Sequence, residues 1–232
     1  MKQAYHIFML LFPMLLWSQT SFLKAEKLFG EGKYALAKPV FENYLKQNPN
    51  DPKTMEYLGD IAGHQKQWDD AISFYKKLKT RFPQNAGYYY KFGGALGMKA
   101  KESSKFRALG MIDDIEEAFL AAAKLDAKHI EARWALVMLY LELPGIVGGS
   151  EAKAKKYSDE LLKISPVDGY LSKGYIFEYV KKYKDAEKQY TKAIEIGQSK
   201  TAYQKLADLY KNKMNSPEKA KQILDLYQKK KT

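Results

Sequence analysis

Tyr57-Leu58-Gly59, followed by Trp68, Ala71, Tyr75, Leu78 and Pro83, is the stretch on which the fold turns. Small and large apolar residues recur at helical spacing on either side of a short break. The whole unit closes after about 34 residues, the length of a helix-turn-helix repeat. A hairpin of this size leaves one side of its helix pair bare, so it is stable only when another hairpin covers it. The sequence must therefore repeat, and it does.

Upstream, Ala25, Gly32, Tyr34, Ala37, Phe41 and Pro49 occupy the same offsets. Ala25 and Ala37 allow close helix approach, Gly32 a tight turn, and Pro49 ends the second helix. Downstream, Tyr89, Phe92, Gly93 and Leu96 open a third unit whose second helix is delayed to Ile115, Ala118 and Ala122. The intervening stretch 98–114 carries Phe106, Leu109, Met111 and Ile112, and reads as additional helix rather than linker. A fourth unit has Ala132, Trp134, Leu136 and Tyr140, then Ala154, Leu161 and Pro166, around a lengthened loop, Leu143-Pro144-Gly145-Ile146-Val147-Gly148-Gly149-Ser150. Gly174, Phe177, Tyr183, Ala186, Tyr190 and Ala193 mark a fifth; Tyr203, Leu206, Ala207, Tyr210, Ala220, Leu224 and Tyr227 a sixth. Ser216-Pro217 is a helix start, with serine at the cap and proline in the first turn.

These offsets resemble tetratricopeptide repeats (TPR), over nearly the whole chain beyond its first segment. The resemblance implies an all-α, right-handed α-solenoid of about six repeats, at roughly 20–51, 52–85, 86–129, 130–166, 167–199 and 200–232, forming a single domain. Its first helices would line a concave groove that holds peptides or proteins. Gly94-Ala95-Leu96-Gly97, the delayed helix and the 143–150 loop together resemble exported bacterial members of this class that have no assigned activity.

The first segment has Lys2, a nearly unbroken apolar run from Ile7 to Trp17, and then Ser18-Gln19-Thr20. The run is too short to cross a bilayer as a helix and has the parts of an export signal over 1–19, cut near Ser18 or Gln19. The chain has no cysteine, which excludes a lipid-modified N-terminal Cys, disulfides and thiolate chemistry. The expected location is the periplasm or the cell exterior, with no transmembrane segment after signal removal. The formal charge is +12, yet arginine occurs only at 81, 107 and 133. A diffuse lysine coat suits a solvated surface; specific nucleic-acid readout leans on arginine.

No catalytic constellation assembles, so the chain reads as no enzyme, without cofactor or metal. The two histidines beyond the signal, His64 and His129, are not paired at ligand spacing. The acidic pairs Asp69-Asp70, Asp113-Asp114 and Glu116-Glu117 fall near predicted helix starts, where they complement the helix dipole. The loop residues Gly148, Gly149 and Ser150 are a candidate contact, but Gly149 is followed by Ser150 and Glu151 where a phosphate loop needs Lys and Ser or Thr, and Glu151 would repel a phosphate. The simpler reading is a rigid turn capped by Ser150. Gly93, Gly94 and Gly97 predict close approach of a neighbouring helix or a ligand.

The partner-facing positions of the first helices are Tyr57, Asp60, Tyr90, Trp134, Met138, Tyr175 and Tyr179. Aromatic rings with polar tips are strong anchors for a protein or peptide. Glu56 and Asp60 occupy the positions at which some related grooves use Lys and Asn to grip a C-terminal carboxylate, so that clamp is absent. An alternative is a binding module for a small apolar ligand enclosed between repeats three and four by Tyr90, the 93–97 helix, Trp134 and Met138, with 98–114 as lid.

Overall fold

A computed structural model describes residues 21–230. The export signal expected over 1–19 lies outside them. Among the described residues every regular element is helical and none is strand. The helices are α1 (21–30), α2 (Tyr34–Gln47), α3 (Pro52–His64), α4 (Trp68–Arg81), α5 (Ala86–Glu102), a short α6 (Lys105–Leu109), α7 (Ile112–Leu125), α8 (Ile130–Glu142), α9 (Glu151–Ile164), α10 (Pro166–Tyr179), α11 (Tyr183–Gly197), α12 (Lys200–Asn212) and α13 (Pro217–Lys229). The delayed third repeat is thus a lengthened α5 plus one further helical turn, α6, before α7.

The helices fall into two compact units that divide between Met111 and Ile112. In the first, α2 packs on α3, α3 on α4 and α4 on α5; in the second each helix from α7 to α13 packs on the next. The first core gathers Ala25, Ala37, Phe41, Leu58 and Ile61, with the Tyr57 ring stacked on Phe41 at 4.6 Å. The core of α10–α13 includes Leu171, Ala186, Tyr190, Tyr203, Leu206 and Leu209.

Local chemistry sets the helix boundaries. The side chains of Asp51, Asn85, Ser150 and Ser199 accept from the backbone N–H of Thr54, Tyr88, Lys153 and Ala202 and so cap α3, α5, α9 and α12. Ser216 departs from expectation. It sits at the cap position before Pro217, but its Oγ donates to the Met214 carbonyl at 3.0 Å and does not cap α13.

The hairpins α1–α2, α3–α4 and α10–α11 turn alike. Each leading helix ends in a left-handed residue: Gly32 (φ 73°), Lys66 (φ 58°) or Lys181 (φ 62°). The next residue's N–H then donates back to Leu28, Ala62 or Phe177, the hydrogen bonding of a Schellman stop. Two glycines set the closeness of their hairpins. A Cβ on Gly59 of α3 would lie 2.7 Å from the Tyr75 ring of α4, and one on Gly174 of α10 would overlap the Tyr190 ring of α11.

Of the two approaches expected at Gly94 and Gly97, a neighbouring helix or a ligand, the first is corrected, because a Cβ at either would meet no atom within 4 Å. No neighbour crowds them as their sequence pattern suggested. Gly93, in contrast, is buried.

Candidate functional site

The leading helices α8, α10 and α12 of the second unit bring aromatic and acidic side chains together. Trp134 of α8 is half-buried; its ring meets Tyr175 of α10 edge-on at 6.4 Å, and its Nε1 donates to Asp168 Oδ1 at 3.0 Å. Tyr179, one turn beyond Tyr175, is 49% exposed, and Met138, one turn beyond Trp134, is 37% exposed. Glu178 accepts from the Tyr190 hydroxyl at 2.8 Å. Burial, and then the negative charges of Glu142 and Glu178, push the Tyr175 hydroxyl above its ordinary pKa. Burial again leads for Tyr190, followed by Glu178, with Asp208 of α12 adding to it. Four of the expected partner-facing residues, Trp134, Met138, Tyr175 and Tyr179, therefore lie on α8 and α10 of one unit.

In the first unit the corresponding positions are committed to holding helices together. The Tyr57 hydroxyl donates to Glu26 of α1 at 2.9 Å, and its pKa is raised chiefly by burial and then by that carboxylate. Asp60 accepts from the Tyr75 hydroxyl at 2.6 Å and from Lys91 Nζ of α5 at 2.7 Å. Lys91 also reaches Glu56 at 2.7 Å. Burial works to lower the Lys91 pKa, but its hydrogen bonds to Asp60 and Glu56 outweigh that and raise it. Tyr90 is half-buried on α5.

The loop before α9 is held at every step. Val147 and Gly149 N–H donate to the Pro144 carbonyl at 3.0 and 3.1 Å, and Ser150 N–H donates to the Tyr140 carbonyl at 2.8 Å. Gly148 adopts φ 98°, and a side chain on Gly149 would strike the Leu143 carbonyl. With Ser150 capping α9, these three residues are used in building the turn. Ile146 at its tip is 94% exposed.

Sequence reasoning missed Asp168, Glu178 and Asp208, and also Arg133. Asp168 stands one repeat after Trp134, which was the available signal for their hydrogen bond. Arg133 is buried, bonding Glu160 at 3.0 Å and the carbonyls of Ala123 and His129 at 3.2 and 3.0 Å. A buried cation satisfied in this way is structural; losing one partner would cost roughly 3–5 kcal/mol.

Among the described residues no three His, Cys, Asp or Glu side chains are grouped to hold a metal ion, and no helix is long and apolar enough to cross a membrane.

Comparison with known proteins agrees with this architecture. Residues 22–86 and residues 167–197 each match a model of the tetratricopeptide repeat. No curated protein matches the sequence. Among solved structures, a thermophilic TPR protein from Thermus thermophilus superposes with a TM-score of 0.64 at 19% identity, over 85% of this chain and 97% of that one. A tetratricopeptide repeat protein from Parabacteroides merdae ATCC 43184 gives 0.62 at 15% identity, over 90% and 77%. YrrB, described as a TPR protein with an unusual peptide-binding site, gives 0.53 at 16% identity, over 78% and 87%. Hairpins closed by a tyrosine against a glycine, stacked at the repeat spacing read from the sequence, and these matches lead to one conclusion: the chain is a tetratricopeptide repeat protein.

Proposed function

We propose that the chain is an exported, non-catalytic scaffold that binds a protein or peptide segment along the leading helices of its second unit. The observation that carries this reading is the run Trp134, Tyr175 and Tyr179, flanked by Met138. These are large rings with polar tips, partly open to solvent on adjacent helices. Such residues lose little conformational entropy on contact and bury much area, so they dominate binding energy where a partner covers them. The fold supports the reading in a general way, since TPR proteins are typically non-catalytic scaffolds and YrrB is one with a peptide-binding site. Export is supported by the apolar run from Ile7 to Trp17 and the polar residues after it.

The test uses the two most exposed members of the face. Tyr179→Ala combined with Met138→Ala is expected to weaken capture of a partner from an envelope extract about tenfold or more, a loss of roughly 2 kcal/mol. The melting temperature should move by less than about 4 °C, because neither residue is in the core. Trp134 is a poorer choice, since it packs against the α10–α13 core and is hydrogen-bonded to Asp168. Undiminished capture by the double variant would remove the assignment. Intact-mass measurement on the exported protein should show a chain beginning near Ser18 or Gln19.

A further inference from the structure

The chain is strongly basic, yet the face just described is acidic. Asp168 on α10 bonds Trp134, Glu178 on α10 acts on Tyr175, and Asp208 on α12 acts with Glu178 on Tyr190; none of the three carboxylates has a lysine or arginine within ion-pair distance among the described residues. Among the described residues they bond neutral groups: Trp134 Nε1 and Ser165 Oγ on Asp168, the Tyr190 hydroxyl on Glu178, and the Gln204 amide on Asp208. The cations of α8 and α10 are engaged elsewhere. Arg133 bonds Glu160 of α9, and Lys173, the one lysine of α10, pairs with Asp159 of α9 at 2.8 Å. α12 contributes exposed lysines, Lys200, Lys205 and Lys211, but the charges acting most on the Tyr175 and Tyr190 hydroxyls are negative.

The first unit shows the opposite arrangement. Lys91 lies two residues before Gly93 and neutralises Glu56 and Asp60. Lys53 likewise closes Glu26 at 2.5 Å. α12 stands to α10 as α5 does to α3, and its Lys200, Lys205 and Lys211 pair with none of Asp168, Glu178 and Asp208. Among the described residues the fold thus neutralises Glu26, Glu56 and Asp60 with its own lysines and leaves Asp168, Glu178 and Asp208 without one.

Charge complementarity names the occupant. We propose that the leading-helix face of the second unit docks a lysine- or arginine-rich segment of a partner protein. The segment's cations would pair with Asp168, Glu178 and Asp208, and its aliphatic stems or guanidinium planes would lie on Trp134, Tyr175 and Tyr179. The inference rests on the binding reading above and specifies the chemistry of the segment bound.

The probe is a fluorescein-labelled decalysine peptide, with decaglutamate and a neutral Gly-Ser decamer as controls, followed by anisotropy against the full chain. Decalysine should bind saturably and more weakly as salt rises, the Gly-Ser decamer should not bind, and any attraction of decaglutamate to the lysine coat should be unaffected by Glu178→Gln with Asp208→Asn. Glu178→Gln with Asp208→Asn should weaken binding about tenfold; both amides retain an oxygen to accept from Tyr190 and Gln204, and thermal melting checks that the fold persists. Glu195→Gln with Asp225→Asn, removing two exposed carboxylates of the trailing helices α11 and α13, should change it by less than about twofold.

Absent saturable binding, or equal weakening by both double variants, overturns the proposal, because a diffuse field would then be responsible. Sedimentation that reveals self-association abolished by Glu178→Gln with Asp208→Asn also overturns it, in favour of a second copy of this lysine-rich chain. Should capture of a partner depend on Tyr179 and Met138 but be indifferent to the two carboxylates, the binding face stands and its cationic specificity falls.

Discussion

At the scale of single residues, the pairs Gly59–Tyr75 and Gly174–Tyr190 show how little freedom the repeat allows. Each ring occupies the space a Cβ would need, and its hydroxyl ends on a carboxylate of the same leading helix, Asp60 or Glu178. Gly174→Ala is therefore expected to destabilise the protein by about 1–3 kcal/mol through overpacking, even though alanine is the better helix former. Denaturant unfolding measures this. The same substitution at Gly94, where a Cβ meets nothing within 4 Å, should be neutral or stabilising. Glycine and tyrosine were legible in the sequence because their spacing is fixed by the hairpin itself. The carboxylates were not, since a tyrosine hydroxyl can reach several helix positions and spacing does not choose among them. The neighbouring helix expected at Gly94 and Gly97 is missing for a related reason: the sequence shows that a helix can be approached closely, not which element approaches.

At the scale of elements, the turns matter most. The left-handed residue that ends a leading helix is glycine in α1–α2 but lysine in α3–α4 and α10–α11. A side chain in that conformation costs about 1–2 kcal/mol, partly offset because glycine gives the unfolded chain more freedom. Lys181→Gly should accordingly raise stability by about 0.5–1 kcal/mol, read as a higher melting temperature. Helix caps were legible at Ser150, where the loop geometry aims Oγ at the following N–H, and not at Ser216, whose hydroxyl finds the nearer Met214 carbonyl. The third repeat was readable as helix because Phe106, Leu109, Met111 and Ile112 continue an apolar pattern. Its interruption was less visible: α6 is five residues long, with Phe106 87% exposed.

At the scale of the whole molecule, the repeat count and the helical class could be read directly, because every repeat must solve the same packing problem. The grouping into two compact units could not, since both are built of the same hairpin chemistry. The short α6 near their division carries exposed Lys105 and Arg107 on little buried surface. Brief tryptic digestion should cut there first, as mass spectrometry of the fragments would show. The chemistry of the proposed face was the least legible feature, because Asp168, Glu178 and Asp208 come from two helices and acquire meaning only through Trp134, Tyr175 and Tyr190. The links Tyr57–Glu26, Lys91–Asp60, Tyr140–Glu116 and Tyr210–Glu187 share one property: each joins a residue to the helix pair immediately before it. Hairpins stitched in this way to their near neighbours can begin to fold at any point of a unit and proceed in either direction. By the same token, evolution could add or delete one hairpin and disturb just the two seams beside it.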